Sequence, residues 1–267
     1  MAGLHKTQER PDMTRIENRA PSVPKMFLDR VAATPSTEAF RYPDNGGWTS
    51  VTWSQVGDRV VESLAEVILV VAVDVVELIA AGLISLGINA EDRVALASGT
   101  RYEWVVVDFG ILSAGAATTT VYPTTNAEDV AFIVANSGSR VVVAENQTQV
   151  DKLVEHRSEI PAVEKVVIID GTGDGDWVIT LEELEQLGKQ LLADSPNAVT
   201  ERVEAIRPEQ LATLIYTSGT TGKPKGVRLT HEAWTYTASA LDSLQVLTDK
   251  DLNYLWLPLA HSFGKVM

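Results

Sequence analysis

Short, continuously apolar runs recur along this chain between stretches with helical spacing, and that alternation limits the fold more than any other feature. Val141-Val142-Val143 and Val166-Val167-Ile168-Ile169 contain no polar residue to alternate with. Such strands are covered on both faces, as they are inside a parallel sheet. Arg93 to Ala97, Ala117 to Val121 and Ala212 to Tyr216 read as further strands, and Tyr102 to Leu112 and Leu181 to Leu192 as helices. Thr125-Asn126-Ala127-Glu128 has the form of a capping box that opens a helix through Val134. Strands alternating with helices give an α/β fold, a mostly parallel sheet flanked by helices.

The region upstream is simpler. Ser22-Val23-Pro24 before Met26, Phe27 and Val31 reads as a capped helix with proline in its first turn. Phe40-Arg41-Tyr42 and Trp48 to Trp53 flank Pro43-Asp44-Asn45-Gly46-Gly47, a hairpin pattern. A helical region then runs towards Leu86-Gly87. Residues 1–21 mix Lys6, Arg10, Arg15 and Arg19 with Glu9, Asp12 and Glu17 and read as a flexible, solvated leader, inside which Met13 offers a second start. No apolar stretch follows closely enough for a secretory signal. Val67 to Val73 is wholly apolar, but Asp74 and Glu77 interrupt it well short of the roughly 20 residues of a membrane span. No transmembrane span is expected. Val60 to Ala65 and Val75 to Ala80 resemble imperfect copies of one helical segment, the mark of a local duplication. Gly171 to Asp176 and Asp194 to Asn197 read as surface turns rather than linkers.

The chemistry-bearing stretch is Leu214-Ile215-Tyr216-Thr217-Ser218-Gly219-Thr220-Thr221-Gly222-Lys223-Pro224-Lys225-Gly226-Val227. It follows a buried strand, so it lies at a strand's carboxyl end, where α/β sheets hold their ligands. Glycines let the backbone turn its N–H groups towards a ligand, hydroxyls add donors, and lysine adds a compact positive charge. Together these can wrap a polyphosphate. The Walker-type loop is excluded, because Thr217 stands at its first glycine position and Pro224 follows Lys223.

The string resembles the signature of the adenylate-forming superfamily, which includes acyl-CoA synthetases, luciferases and the adenylation domains of peptide synthetases. The resemblance implies that Thr217, Ser218, Gly219, Thr220, Thr221 and Gly222 form a phosphate loop. It implies that Lys225 meets the β- and γ-phosphates of ATP, and that the Thr217 hydroxyl lies near Mg2+. Lys223 stands at a variable position. Tyr254 to Gly264 is similar to the segment whose histidine, here His261, borders the acyl and adenylate pocket, and Arg101-Tyr102-Glu103-Trp104 through Tyr122-Pro123-Thr124 resembles an early block that packs the core. The wording of these blocks leans towards fatty-acid–CoA ligases. His231 falls at an expected helix start and His156 on a solvated face.

By this resemblance the reaction activates a fatty acid, or another carboxylic acid, with ATP to an acyl-adenylate, and coenzyme A then displaces AMP. Residues 22–267 would be part of the N-terminal domain. The magnesium-holding glutamate, the ribose-binding aspartate and the small C-terminal domain of the superfamily have no counterpart here, so weak or absent activity is expected of the chain alone. Three readings stay open: a shortened fatty-acid–CoA ligase, a non-catalytic remnant or scaffold with residual phosphate binding, and an adenylating enzyme for aryl or amino acids. The formal net charge of −14 over 267 residues argues against a nucleic-acid partner. The absence of cysteine excludes disulfides and thiolate chemistry. A cytoplasmic location is expected, with peripheral membrane contact left open.

Overall fold

In a computed structural model of the protein, which describes residues 12–44, 46–57, 75–217, 222–245, 251 and 254–266, the chain begins with two capped helices. The Asp12 carboxylate accepts the Thr14 N–H and starts α1 (Met13–Glu17). Ser22 caps α2 (Val23–Ala33), with Pro24 in the first turn, where a missing N–H leaves no bond unmade. Within the leader expected over residues 1–21, residues 13–17 form α1. Arg15 and Arg19 pair with Asp242 and Glu232 and fasten α1 against a helix far along the chain.

β1 (Glu38–Asp44) and β2 (Gly47–Thr52) form the expected antiparallel hairpin, followed by α3 (Trp53–Gly57). α4 (Val75–Ser85) is the described part of the expected helical region. Val67 to Val73, and the first copy of the expected duplication at Val60 to Ala65, lie outside the described residues. From there strands and helices alternate: β3 (Arg93–Ala97), α5 (Tyr102–Ser113), β4 (Ala117–Val121), α6 (Ala127–Ser137), β5 (Ser139–Asn146), α7 (Gln147–Glu155) and β6 (Lys165–Asp170). β7 (Val178–Thr180), α8 (Leu181–Asp194), α9 (Ala198–Glu204), β8 (Leu211–Thr217), β9 (Lys225–Thr230), α10 (His231–Ser243) and α11 (Ser262–Val266) complete the order.

The cap of α6 differs from expectation. Asn126, not Thr125, is the capping residue, its carboxamide oxygen accepting the Asp129 N–H at 2.8 Å. The Thr125 N–H is already spent in a turn to the Tyr122 carbonyl, so no box with Glu128 forms. A capping box does exist at Thr180 and Glu183, where it opens α8.

Strands β3 to β9 make one sheet in the order β7-β6-β5-β3-β4-β8-β9. Each neighbouring pair is parallel except the last, β8 with β9. This is the expected mostly parallel α/β sheet. Alternate residues of each strand feed opposite faces. Val94, Leu96, Val141 and Val143 pack with Ile79, Leu83, Trp104 and Leu184 of α4, α5 and α8. Ala95, Ala97, Val142 and Ala144 pack with Val130, Val134, Val150 and Leu153 of α6 and α7. Among the described residues no helix is long and apolar enough to cross a membrane.

The topology also marks a place for a ligand. β3 leads through α5 to β4 on one side, whereas β4 leads through α6 to β5 on the other side of β3. β5 then leads through α7 to β6, away from β4, so the chain reverses direction between β3 and β5, the place where a sheet of this order holds ligands at its strands' carboxyl ends.

Candidate active site

Beside that point, the segment Leu257 to His261 lies at the carboxyl ends of β3 and β4. The Thr100 hydroxyl, just beyond β3, donates to the Leu257 carbonyl at 2.9 Å and accepts the Leu259 N–H at 3.2 Å. The Thr120 hydroxyl, near the end of β4, donates to the Ala260 carbonyl at 3.0 Å. Leu259 and Ala260 are buried while His261 is exposed, so the turn is anchored on its inner side and presents the imidazole outwards. The His261 Nδ1 accepts the Phe263 N–H at 3.2 Å. A neutral ring so held carries its proton on Nε2, which makes that edge a donor. The rings of Tyr254, Trp256 and Phe263 are exposed in the same segment.

β8 lies beside β4, with Thr120 opposite Ile215. Thr217, two residues further on, therefore ends its strand on the same edge of the sheet as His261. β9 returns antiparallel and sets Lys225 directly opposite Thr217. Opposed residues of an antiparallel pair share a face, so the hydroxyl and the ammonium project side by side. Both are exposed. Gly222 has φ of +109°, a backbone shape that a side chain would strain. Ser218, Gly219, Thr220 and Thr221 lie outside the described residues.

The other face of the hairpin is tied down. The Tyr216 hydroxyl donates to the Asn136 carboxamide oxygen of α6 at 2.7 Å, and burial pushes its phenol upwards, keeping it a donor. The Lys223 ammonium stands 4.9 Å from the centre of the Phe132 ring. Lys223 is thus engaged with α6. Around the same sheet edge the Gly99 N–H donates to Glu145 at 2.7 Å, and Arg101 pairs with Glu103 and Asp170. These contacts join the ends of β3, β5 and β6. Trp104, in the early sequence block, is buried in the core as expected.

Beneath the site lies a pair that the sequence reading missed. Asp108 on α5 and Lys265 on α11 meet at 2.8 Å, each with a side chain only 7% exposed. A lone acid within the apolar run Trp104 to Leu112 was the available signal, because an unpaired buried carboxylate is costly. Its partner, about 160 residues away in sequence, carried none. His231 begins α10 as expected and is buried. His156 stands beside Glu159 at 2.8 Å, away from this edge.

The sequence matches the model of the AMP-binding enzyme family over residues 27–267. Among curated proteins it is similar to the long-chain-fatty-acid–CoA ligase FadD15 of Mycobacterium bovis and of Mycobacterium tuberculosis. Each is 32% identical over 248 residues, covering 92% of this chain and 38% of the relative. The long-chain-fatty-acid–CoA ligase ACSBG2 of Xenopus laevis is 32% identical over 189 residues, 68% of this chain and 25% of that protein. Among solved structures, a long-chain-fatty-acid–CoA ligase (FadD1) from Archaeoglobus fulgidus superposes with a TM-score of 0.69 at 18% identity, covering 93% of this chain and 45% of that one. The inhibitor-bound N-terminal domain of FACL13 from Mycobacterium tuberculosis gives 0.63 at 22% identity, with 92% and 54% covered. This chain therefore spans well under half the length of the curated relatives it matches.

Proposed function

The chain belongs to the family of AMP-binding enzymes, and from that membership we propose that it serves the ATP-dependent activation of a fatty acid, through an acyl-adenylate, to an acyl-CoA. The observation that carries this reading is the pairing of Thr217 with Lys225 at the carboxyl edge of the sheet, on the edge that also holds the His261 turn. The fatty-acid branch is favoured over aryl or amino acids because three relatives at 32% identity are named as long-chain-fatty-acid–CoA ligases. A cytoplasmic location, with contact at the membrane surface that supplies such a substrate, belongs to the same proposal.

The chemistry sets two demands. A carboxylate oxygen must reach the α-phosphorus as the bond to pyrophosphate breaks, although nucleophile and triphosphate are both anionic. Coenzyme A must then attack the acyl carbon through its sulfur while AMP leaves. Charge neutralisation and alignment are what a protein can contribute to such a step. Lys225 supplies a positive charge rooted in a strand, and the exposed Thr217 hydroxyl supplies a donor and a neutral oxygen. Ser218, Gly219, Thr220, Thr221 and Gly222 complete the proposed phosphate loop by resemblance. His261, with its Nε2–H outward, is suited to orient an acyl or phosphoryl oxygen.

Among the described residues no group of three or more metal-ligating side chains gathers. One threonine hydroxyl fits a Mg2+ that arrives on the phosphates and keeps several waters, as this ion prefers. Bound there, the ion would neutralise phosphate charge, and Thr217 would contribute one oxygen.

Two measurements test the reading. Lys225→Ala should weaken MgATP binding by about tenfold or more, since a charge-assisted contact is worth about 1.5–3 kcal/mol. Equal affinity of both chains would remove Lys225 from the site. In ATP–pyrophosphate exchange, long-chain fatty acids should stimulate label incorporation above benzoate or amino acids, whatever the absolute rate. The reverse ranking would reject the fatty-acid assignment.

A further inference from the structure

The Asp108–Lys265 pair has a placement that core stability alone does not require. Lys265 lies four residues after His261, and its N–H donates to the His261 carbonyl at 3.1 Å, so the two residues share one short helical turn. Its ammonium donates to Asp108 at 2.8 Å and to the Thr213 hydroxyl of β8 at 3.0 Å. Thr213 lies on the same face of β8 as Thr217, two alternations earlier. The Asp108 oxygen that meets Lys265 also accepts the Thr118 hydroxyl of β4 at 2.7 Å. Trp104 and Trp234 close the space, their rings 5.7 Å and 5.3 Å from the ammonium. One cation thus touches the helix after β3, the strand beneath the His261 turn through Asp108 and Thr118, and the strand that ends at Thr217.

We propose that Asp108 and Lys265 are positioning residues that lock the His261 turn to β8, so that the imidazole and the Thr217–Lys225 hairpin end keep one fixed relation. The inference rests on reading His261 and the hairpin as parts of a single site. On its inner side the turn has the bonds from Thr100 and Thr120, which fix Leu257 to Ala260. Beyond His261 the anchor is Lys265. Without it the turn is held from one side only, and the His261 ring loses the backbone geometry at Phe263 that sets its outward edge.

Amide hydrogen exchange of the whole chain, followed by NMR, tests the lock without any ligand. Lys265→Met should speed exchange at the His261, Phe263 and Lys265 amides by about tenfold or more, equivalent to about 1.4 kcal/mol. Amides of β3 and β5 should keep their protection. Lys265→Arg, which retains a charged donor, should restore most of the local protection. If Lys265→Met does not fold, Asp108→Asn combined with Lys265→Met removes both charges, strands neither and should show the same local loss. Unchanged protection at these amides would overturn the proposal. So would a loss spread evenly over β3, β5 and the turn, because the pair would then be a general stabiliser. MgATP titration of Lys225→Ala separates the two readings: failed nucleotide binding sinks the assignment of the site, while the exchange pattern judges the lock independently.

Discussion

His231 begins α10 with 1% of its surface exposed, and its Nδ1 accepts the Val23 N–H at 3.4 Å. Burial, and then the nearby charge of Lys265, hold its pKa down to about 4. In the unfolded chain the same ring titrates near 6.5. Between these values the unfolded state binds the extra proton, so stability rises with pH through the window and is lost as pH falls from about 6.5 towards 4. The loss from this residue is on the order of 3 kcal/mol, from a depression of about two and a half pH units. Urea unfolding at pH 7 and pH 4.5 should show the drop, and His231→Gln should flatten it. An equal slope in both chains would mean that other groups dominate. Thr213 gives a second prediction at this scale. Its hydroxyl accepts from Trp234 Nε1 and from Lys265, each at 3.0 Å. Thr213→Val keeps the volume but strands two donors, at about 1–3 kcal/mol each, whereas Thr213→Ser keeps the acceptor. Thermal unfolding should rank serine well above valine.

At the scale of elements, α4 and α8 pack closely through two glycines. A Cβ on Gly188 would stand 2.0 Å from the Leu78 carbonyl oxygen, and one on Gly82 would stand 2.3 Å from that of Leu184. Both obstacles are backbone, so neither can turn aside. Gly188→Ala should destabilise by about 1–3 kcal/mol or more, although alanine is the better helix former. A neutral or raised unfolding midpoint would show that the helices separate freely. In the sequence Gly188 is visible only as a weak point in the amphipathic run Leu181 to Leu192. What it approaches lies about a hundred residues earlier, and no local pattern connects them. Strand and helix spans were legible because buried parallel strands exclude polar residues, and observed limits depart from expected ones by a few residues at most. The cap of α6 was read one residue early, because threonine and asparagine both suit that role and only the fold decides between them. β7, β9, α1, α7, α9 and α11 went unread: β7 is three residues long, and α1 is tied by an ion pair to distant Asp242.

For the whole molecule, the sheet brings residues from four separate stretches to one edge: Thr100, Thr120, Thr217 with Lys225, and His261. Motif reading supplied Thr217, Lys225 and His261, because their spacing is local. It did not supply the hydroxyls of Thr100 and Thr120 or the Asp108–Lys265 pair, which acquire a role only when strand order is known. A ligand that bridges this edge binds the folded chain alone and must stabilise it. At a MgATP concentration about 100 times its dissociation constant the gain is about 2.7 kcal/mol. For a chain of this size that amounts to a rise of several degrees in the unfolding midpoint. Scanning calorimetry should record the rise with MgATP, and Lys225→Ala should reduce it. A midpoint indifferent to nucleotide at every concentration would place nucleotide binding elsewhere.

The reversal of β9 has one more result. In a sheet whose other ligand-edge residues stand at or just past the carboxyl ends of their strands, Lys225 opens its own, so its Cα is clamped by the ladder while its tip swings on four methylenes. A charge tethered in this way patrols a cap of set radius. Its grip depends on stem length as much as on sign, and arginine, longer and forked, would search a different shell.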